Sequence, residues 1–477
     1  MKLSNIIANI NNELKDLEIK GITCDSRRVE EGFLFFCIDG VTSDGHAFAE
    51  SAIKSGAAAI VCQRDLGLKN QILVENSRIA FAIASANWFG NPSRRMKMVG
   101  VTGTNGKTSV TYMLKAILEK AGHKVGLVGT IQHLIGDEMV ESKNTTPDAY
   151  ELQRLLCEME KAGCDYVVME ASSHALHQGR NFGIHYDAAM FTNLTQDHLD
   201  YHENMENYAA AKRILFENCD CAIINYDDPA GAGMVDGLDC NVVTYSTKSD
   251  NATYSAKNII IKADGSLFDL VGYELILRLK MKVGGKFTIN NAMCAAACAM
   301  QLGIENKTIV DALNELGGIK GRAEAMDLGK DWTIIIDYAH TPDGLKNILS
   351  TFRDVEKNRL VALFGCGGDR DRTKRPIMGE IAAAYADFVI VTSDNPRSED
   401  PDAIIADILE GMQTTKTPYK VITNRAEAIK YAIKNAMPGD IIVLAGKGHE
   451  TYQILKDGTI HFDEREVVRE VLAEEEK

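Results

Sequence analysis

The chain has 477 residues, 45% of them hydrophobic and 25% charged, with 52 basic against 67 acidic side chains and a net charge of −15. At ~150 residues per domain this length holds about three domains, and the composition is that of a globular protein. The acidic balance excludes a protein whose affinity rests on neutralising nucleic-acid phosphates, so an anionic ligand must be held by local cations and helix N-termini.

Residues 1–93 read as a small mixed α/β unit, with strands at 19–24, 33–38 and 57–62 and a helix at 47–56. Two polar stretches follow apolar segments here, Asp25-Ser26-Arg27-Arg28 and Thr42-Ser43-Asp44-Gly45-His46. Turn chemistry is the plainer reading of both, ligand-gathering loops the other. Asn91-Pro92-Ser93 is a turn signal and marks a domain boundary. From residue 94 the alternation becomes regular. After an apolar strand that enters a Gly-rich loop, strands are expected at 124–130, 165–171, 187–193 and 221–226, with helices at 148–162 and 203–218. Strands spaced by helices make a parallel sheet, whose ligands bind at the carboxyl ends of the strands. Residues 251–287 switch to short alternating strands, followed by helices at 289–302 and 307–316. A second βα series begins near Trp332, with strands at 333–338, 360–365, 388–393, 420–423 and 441–445. The fold class is therefore α/β in three domains: 1–93, a central parallel-sheet domain at 94–322, and a second βα domain at 323–477. The 11 cysteines contain no C-x-x-C pair and are expected to be reduced, mostly buried thiols. The N-terminus lacks an apolar signal core, and no apolar run approaches the ~18 residues that span a bilayer. A cytoplasmic location without membrane insertion is expected.

The stretch with the clearest chemistry is Gly103-Thr104-Asn105-Gly106-Lys107-Thr108-Ser109. An apolar run enters it and an amphipathic pattern leaves it, the strand, loop and helix of a phosphate-binding loop. Gly103 and Gly106 let backbone N–H groups approach an anion, and the new helix adds its positive end. Lys107 can reach terminal phosphates, and the Thr108 hydroxyl can hold Mg²⁺. The usual spacing would put the first glycine at residue 101; that residue is Val101, so the loop is a shorter G-x-x-G-K-T. Glu170 ends the next strand but one, before Ser172-Ser173-His174. A carboxylate there is either a Mg²⁺ ligand or a polar strand cap. Thr192 to His202 holds two histidines and two aspartates. His198-x-x-x-His202 is a weak zinc pattern, without a glutamate or thiolate partner. A magnesium or manganese site with one histidine fits better beside a nucleotide. Lys212 shares a helix face with Tyr208 and Phe216, where a lysine ordinarily snorkels to water. In the last domain four polar or Gly-rich loops follow four strands: Asp337 to Asp343, Gly365 to Arg372, Asp394-Asn395-Pro396-Arg397, and Gly446 to Glu450. They are expected to form one crowded cleft.

In this order and over nearly the whole chain, the loop, Glu170-Ala171-Ser172-Ser173-His174, Thr192 to His198, Ala211-Lys212, Gly321-Arg322 and Asp337 to Pro342 resemble the Mur ligases, the ATP-dependent amino-acid ligases of peptidoglycan precursor synthesis. Asn144-Thr145-Thr146-Pro147, the Gly365 loop and Asp394 to Arg397 are similar to the MurE type. The resemblance implies an N-terminal UDP-binding domain, a central ATPase domain and a C-terminal Rossmann-like domain. It implies that Cys24, Ser26, Val41, Thr42 and Ser43 line the uridine diphosphate site. Asn144, Thr145, Thr146, Ser172, Gln178 and Arg180 would hold the muramoyl dipeptide. ATP would lie on Gly103 to Ser109, Asn291 and Arg322. Thr108, Glu170 and His198 would bind Mg²⁺, with Lys212 as a carbamate. Arg370, Asp394, Asn395, Pro396, Arg397, Gly446 and Glu450 would hold the incoming amino acid. Two positions depart from the pattern: Thr288, where relatives carry Asn, and Asn424, where Asp is common.

The implied substrates are UDP-MurNAc-L-Ala-D-Glu, ATP and meso-diaminopimelate, with L-lysine the alternative, acting on a monomer. The implied reaction phosphorylates the D-glutamate γ-carboxylate, because a free carboxylate has no acceptable leaving group. The amine of the third residue then displaces phosphate. Lys107 and Mg²⁺ would offset the repulsion of two anions. Rival readings are another ligase on the same fold and a nucleotide-binding switch. The Asp394 to Arg397 loop argues against the first, and Lys107, Glu170, His198 and Lys212 together argue against the second.

Overall fold

The computed structural model describes residues 1–8, 13–40, 43–140, 144–262, 265–355 and 359–475. Three sheets succeed one another along the chain. The first is four-stranded and parallel: β1 (Gly21–Thr23), β2 (Phe33–Phe36), β3 (Ala59–Cys62) and β4 (Gln71–Leu73), paired in that order. The expected helix at 47–56 is a 3₁₀ turn, Gly45–Phe48, running into helix Ala49–Lys54. The Asp44 side chain caps it by accepting from the His46 N–H.

The second sheet has eleven strands. In chain order they are β5 (Lys97–Thr102), β6 (Val125–Val128), β7 (His133–Ile135), β8 (Glu138–Val140), β9 (Tyr166–Glu170), β10 (Ala188–Phe191), β11 (Cys221–Asn225), β12 (Asn241–Ser246), β13 (Tyr254–Lys262), β14 (Gly265–Gly272) and β15 (Leu275–Met281). Their spatial order is β15-β14-β13-β12-β11-β10-β5-β9-β6-β7-β8. The seven strands from β13 to β6 are parallel, and antiparallel strands flank them at both edges. The sequence pattern missed β7 and β8, each too short to display alternation. Both faces of β5 are covered. Val99 and Val101 pack under helices Lys107–Lys120 and Lys286–Gln301, and Met98 packs on the opposite side with Leu152, Leu155 and Leu156 of helix Ala149–Lys161. Double coverage explains why the strand reads as a near-continuous apolar run.

The third sheet comprises β16 (Glu324–Met326), β17 (Thr333–Asp337), β18 (Leu360–Phe364), β19 (Phe388–Val391), β20 (Tyr419–Val421) and β21 (Ile441–Ala445), in the order β16-β17-β21-β18-β19-β20. All but β16 run parallel. The carboxyl ends of β17, β21, β18 and β19 are thus neighbours, and the four polar loops meet as expected. A final hairpin, β22 (Tyr452–Leu455) with β23 (Gly458–His461), lay outside the sequence reading. The expected helix at 203–218 is helix Met205–Arg213, tightening into a 3₁₀ segment over Ile214–Asn218. Asn424 caps helix Arg425–Lys434 by accepting from Glu427 N–H, a task Asn performs as well as Asp. Thr288 is buried and donates to the Gly284 carbonyl. The cysteines are free thiols, mostly buried, and no described helix is long and apolar enough to cross a membrane.

Candidate active site

The Gly-rich loop leaves β5 between β10 and β9, so residues that end these neighbours surround it. Its two glycines are needed as such. Gly103 has φ +149° and Gly106 has φ +88°. A Cβ on Gly103 would collide with Thr192 Oγ1, and one on Gly106 would lie 2.5 Å from Asn291 Oδ1. Asn193 fixes the loop by accepting from the Asn105 N–H at 2.9 Å. Lys107, the first residue of helix Lys107–Lys120, turns its ammonium back onto the Gly103 and Thr104 carbonyls, 2.8 Å from each. Burial lowers the Lys107 pKa, against the pull of Glu170 and Asp197.

Glu170 is fully buried at the end of β9. Its Oε2 accepts from Thr108 Oγ1 at 3.1 Å and Thr130 Oγ1 at 2.8 Å, and its Oε1 from the Thr130 N–H at 2.9 Å. Arg322 Nη2 donates to the same Thr108 hydroxyl at 3.0 Å. These groups open on a cleft of about 530 Å³, also lined by Asn105, His198, Asn290, Asn291 and His340. The Asn290 Oδ1 and Arg322 Nε atoms are buried there without a hydrogen-bond partner among the described residues. His198 holds φ +54°, its ring 4.8 Å from His174 and its Nε2 3.4 Å from Asp197 Oδ2. Desolvation, with His174 and Lys107 nearby, pushes the His198 pKa down to about 3, so its ring is neutral and able to ligate. Among the described residues no cluster of three or more His, Cys, Asp or Glu groups could hold a metal alone. The Thr108 and Glu170 oxygens instead suit Mg²⁺, which retains waters and takes phosphate oxygens.

Lys212 is 1% exposed and does not snorkel. Its Nζ stands 4.2 Å over the Tyr208 ring, and the Tyr208 hydroxyl meets Thr104 Oγ1 at 3.2 Å. Burial, reinforced by Lys107 and opposed by Asp197, lowers the Lys212 pKa well below the ordinary lysine range. Burial thus favours the neutral amine over the ammonium, and Tyr208 links the side chain to the Gly-rich loop.

A second cleft of about 660 Å³ lies between the first sheet and the central one. It collects Cys24, Ser26, Ser43, Asn144, Gln178 and Arg180. Val41 and Thr42 lie outside the described residues. Thr145 and Ser172 line the first cleft instead. Thr146 joins the two: its hydroxyl donates to the Glu170 carbonyl at 2.7 Å, and its own carbonyl accepts from Arg180 Nη1 at 2.9 Å. Sequence reasoning missed Arg78 and Asp148, which also line this cleft. Arg78 lies within helix Ser77–Trp88, where nothing in the pattern sets a functional arginine apart from a surface one.

In the third sheet Asn395 and Glu450 come together, Asn395 Nδ2 donating to Glu450 Oε2 at 2.9 Å. Asp394 Oδ2 is buried with no hydrogen-bond partner among the described residues, against the position where Gly446, at φ +119°, would carry a Cβ. Pro396 leads into Arg397, which has φ +53° and donates from Nη1 to the Gly368 carbonyl at 2.8 Å. Arg370 is exposed and donates to the neighbouring Asp369 carbonyl, and its side chain borders the space beside Gly367 together with Arg397 Nη1 and the Asn395 carbonyl. Two further residues tie the sheets together. Asp343 accepts from Asn105 Nδ2 at 2.8 Å, and the Tyr338 ring lies 4.8 Å under the Arg322 guanidinium while its hydroxyl faces Glu450 Oε1 at 3.4 Å. Both stand in the Asp337 to Asp343 loop that the sequence marks as chemical.

Glu170 and Thr146 thus stand where the two clefts meet. Comparisons with known proteins identify the family. The chain matches the Mur ligase family catalytic domain over residues 18–97, the Mur ligase middle domain over 101–299 and the glutamate ligase domain of Mur ligases over 321–448. It is 49% identical over 487 residues to the UDP-N-acetylmuramoyl-L-alanyl-D-glutamate--2,6-diaminopimelate ligase of Syntrophomonas wolfei, covering 99% of each chain. A solved structure of an enzyme with that same name is 32% identical, covers 100% of this chain and 99% of its own, and has a TM-score of 0.73. The MurF ligase of Thermotoga maritima in complex with ADP shares the fold, with 19% identity, a TM-score of 0.64 and coverage of 97% and 99%. The chain belongs to the Mur ligase family.

Proposed function

We propose that the chain is the ligase that joins meso-diaminopimelate to the D-glutamate γ-carboxylate of UDP-MurNAc-L-Ala-D-Glu, with ATP giving ADP and phosphate. The observation that carries this is the junction at Glu170. Its side chain meets Thr108 in the nucleotide cleft, and its backbone meets Thr146, which holds Arg180 in the acceptor cleft. Phosphoryl donor and acceptor carboxylate would therefore meet at one carboxylate-lined wall. The names of the full-length relatives support diaminopimelate as the added amino acid.

Residues 1–93 and the start of the central domain bind the UDP-sugar, 94–322 bind ATP, and 323–477 bind diaminopimelate. Phosphorylation of the γ-carboxylate makes an acyl phosphate, a carbonyl with a leaving group. Lys107 and the loop N–H groups hold the transferring phosphate, and Arg322 supplies a further cation. Thr108, Glu170 and His198 would hold Mg²⁺, which would neutralise phosphate charge. Lys212, whose burial favours the neutral amine, would take up CO₂ with loss of a proton, and the carbamate would serve as a further anionic ligand for the metal. Asp394, Asn395, Arg397 and Glu450 then hold diaminopimelate so that its amine attacks the acyl carbon; fixing both partners supplies much of the acceleration. The enzyme acts as a cytoplasmic monomer. The test is ADP release with a panel of amino acids. Release that needs both the UDP-muramoyl dipeptide and diaminopimelate supports the reading, and release without the acceptor contradicts it.

A further inference from the structure

The Gly446 to Glu450 loop carries a lysine that the account above does not use. Lys447 is fully buried. A buried ammonium is costly unless it is paired and hydrogen-bonded. This one donates to Glu450 Oε2 at 2.9 Å and to Asn395 Oδ1 at 3.1 Å, and stands 5.7 Å over the Tyr452 ring. Its two bonds decide how its neighbours face. Asn395 Oδ1 accepts from Lys447 and from the Ile454 N–H at 2.9 Å, which leaves Nδ2 to donate to Glu450 Oε2. The amide cannot flip without facing a donor with a donor. Glu450 Oε2 is taken by Lys447 and Asn395, so Oε1 is the oxygen that accepts from the Tyr338 hydroxyl at 3.4 Å. Beside them Asp394 Oδ2 is buried with no hydrogen-bond partner among the described residues, an oxygen free to accept from a ligand's donor. The loop backbone is held for this purpose by Gly446 at φ +119° and Gly448 at φ +54°.

We infer that Lys447 is a positioning residue for the incoming amino acid: by bonding Asn395 and Glu450 at once, it aims both toward the ammonium and carboxylate groups of diaminopimelate. This rests on the reading of Asp394, Asn395, Arg397 and Glu450 as the amino-acid site. A lysine that only stabilised the loop would affect folding without singling out one substrate.

The test varies each substrate in turn in wild type, Lys447→Met, Lys447→Gln, Asn395→Ala and the Lys447→Met/Asn395→Ala double variant. Losing a charge-assisted hydrogen bond that orients a binding group should raise the diaminopimelate KM about 10- to 100-fold in Lys447→Met. KM for ATP and for the UDP-muramoyl acceptor should stay at wild-type values. Lys447→Gln, which keeps a donor, should fall between Met and wild type. The double variant should lose less than the product of the two single effects, because Lys447 acts through Asn395. An unchanged diaminopimelate KM in Lys447→Met while Asn395→Ala raises it overturns the role of Lys447 and leaves the site standing. An unchanged KM in Asn395→Ala overturns the site and the proposal with it. Equal rises for all three substrates also overturn it. Should Lys447→Met not fold, Lys447→Gln decides: a raised diaminopimelate KM with an unchanged ATP KM supports the proposal, and a wild-type value for both overturns it.

Discussion

Arg322 donates to the Thr108 hydroxyl at 3.0 Å, across 214 positions of sequence. Through that bond the segment that leads into the third sheet reaches the second residue of the helix that follows the Gly-rich loop. Asp343 reaches the same loop through Asn105. The cleft at this loop is thus lined from both the second and the third sheet.

Lys107 is the first place to test this cleft. Its ammonium sits on the Gly103 and Thr104 carbonyls, where terminal phosphates would draw it away. Lys107→Ala should abolish ADP release and leave the far-ultraviolet circular dichroism and unfolding temperature close to wild type. Near-normal turnover would contradict the loop's role.

Lys212 makes a two-part prediction. As the carbamate it should be essential, so Lys212→Ala should be nearly inactive and partly restored by a small carboxylate such as formate. As a buried amine with a lowered pKa it should also shape stability. Between the folded pKa and the ordinary value of 10.5 the unfolded chain binds more protons, so stability rises with pH across that window. In CO₂-free buffer Lys212→Met should flatten that rise, measured by urea unfolding. Full activity in Lys212→Ala would end the carbamate reading.

Acid should destabilise the central sheet through His133. Burial lowers its pKa to about 4 from an ordinary 6.5. Between those values the unfolded state takes up a proton that the folded state refuses, so stability falls as pH falls and is unaffected above the window. The slope should approach about 1.4 kcal/mol per pH unit at most. His133→Gln should show a smaller drop than wild type when urea unfolding at about pH 5 is compared with about pH 8. An equal drop in both would place the acid sensitivity elsewhere.

Arg397 should set the choice of amino acid. Diaminopimelate differs from L-lysine by a carboxylate at its far end, which a planar guanidinium matches. An unpaired buried charge costs roughly 2–4 kcal/mol, so discrimination of about 30- to 1000-fold is expected in wild type and should collapse in Arg397→Ala. If Arg397→Ala keeps the preference, its bond to the Gly368 carbonyl marks it as a loop cap and nothing more.

The sequence showed most of this fold because the two βα series repeat a strong local signal, strand then polar loop then helix. It showed the loop at Gly103, and Glu170, because strand ends in such sheets face one cleft. It did not show β7 and β8, three residues each, nor the β22–β23 hairpin, since segments that short carry no period. Arg78 and Asp148 were hidden for a different reason. Each reaches the acceptor cleft from a helix or its cap, and only the packing of the first sheet on the second makes them neighbours. Lys447 stood in a marked loop, but its burial, which gives it meaning, is a tertiary fact.

The central claim is that the acceptor's γ-carboxylate is phosphorylated before the amine attacks. It is tested most directly by labelling both oxygens of that carboxylate with ¹⁸O and running the complete reaction with ATP and diaminopimelate. Transfer through an acyl phosphate leaves one ¹⁸O in the new amide and delivers the other to the released phosphate, read by mass spectrometry. Phosphate free of label, formed in step with tripeptide, would contradict the account.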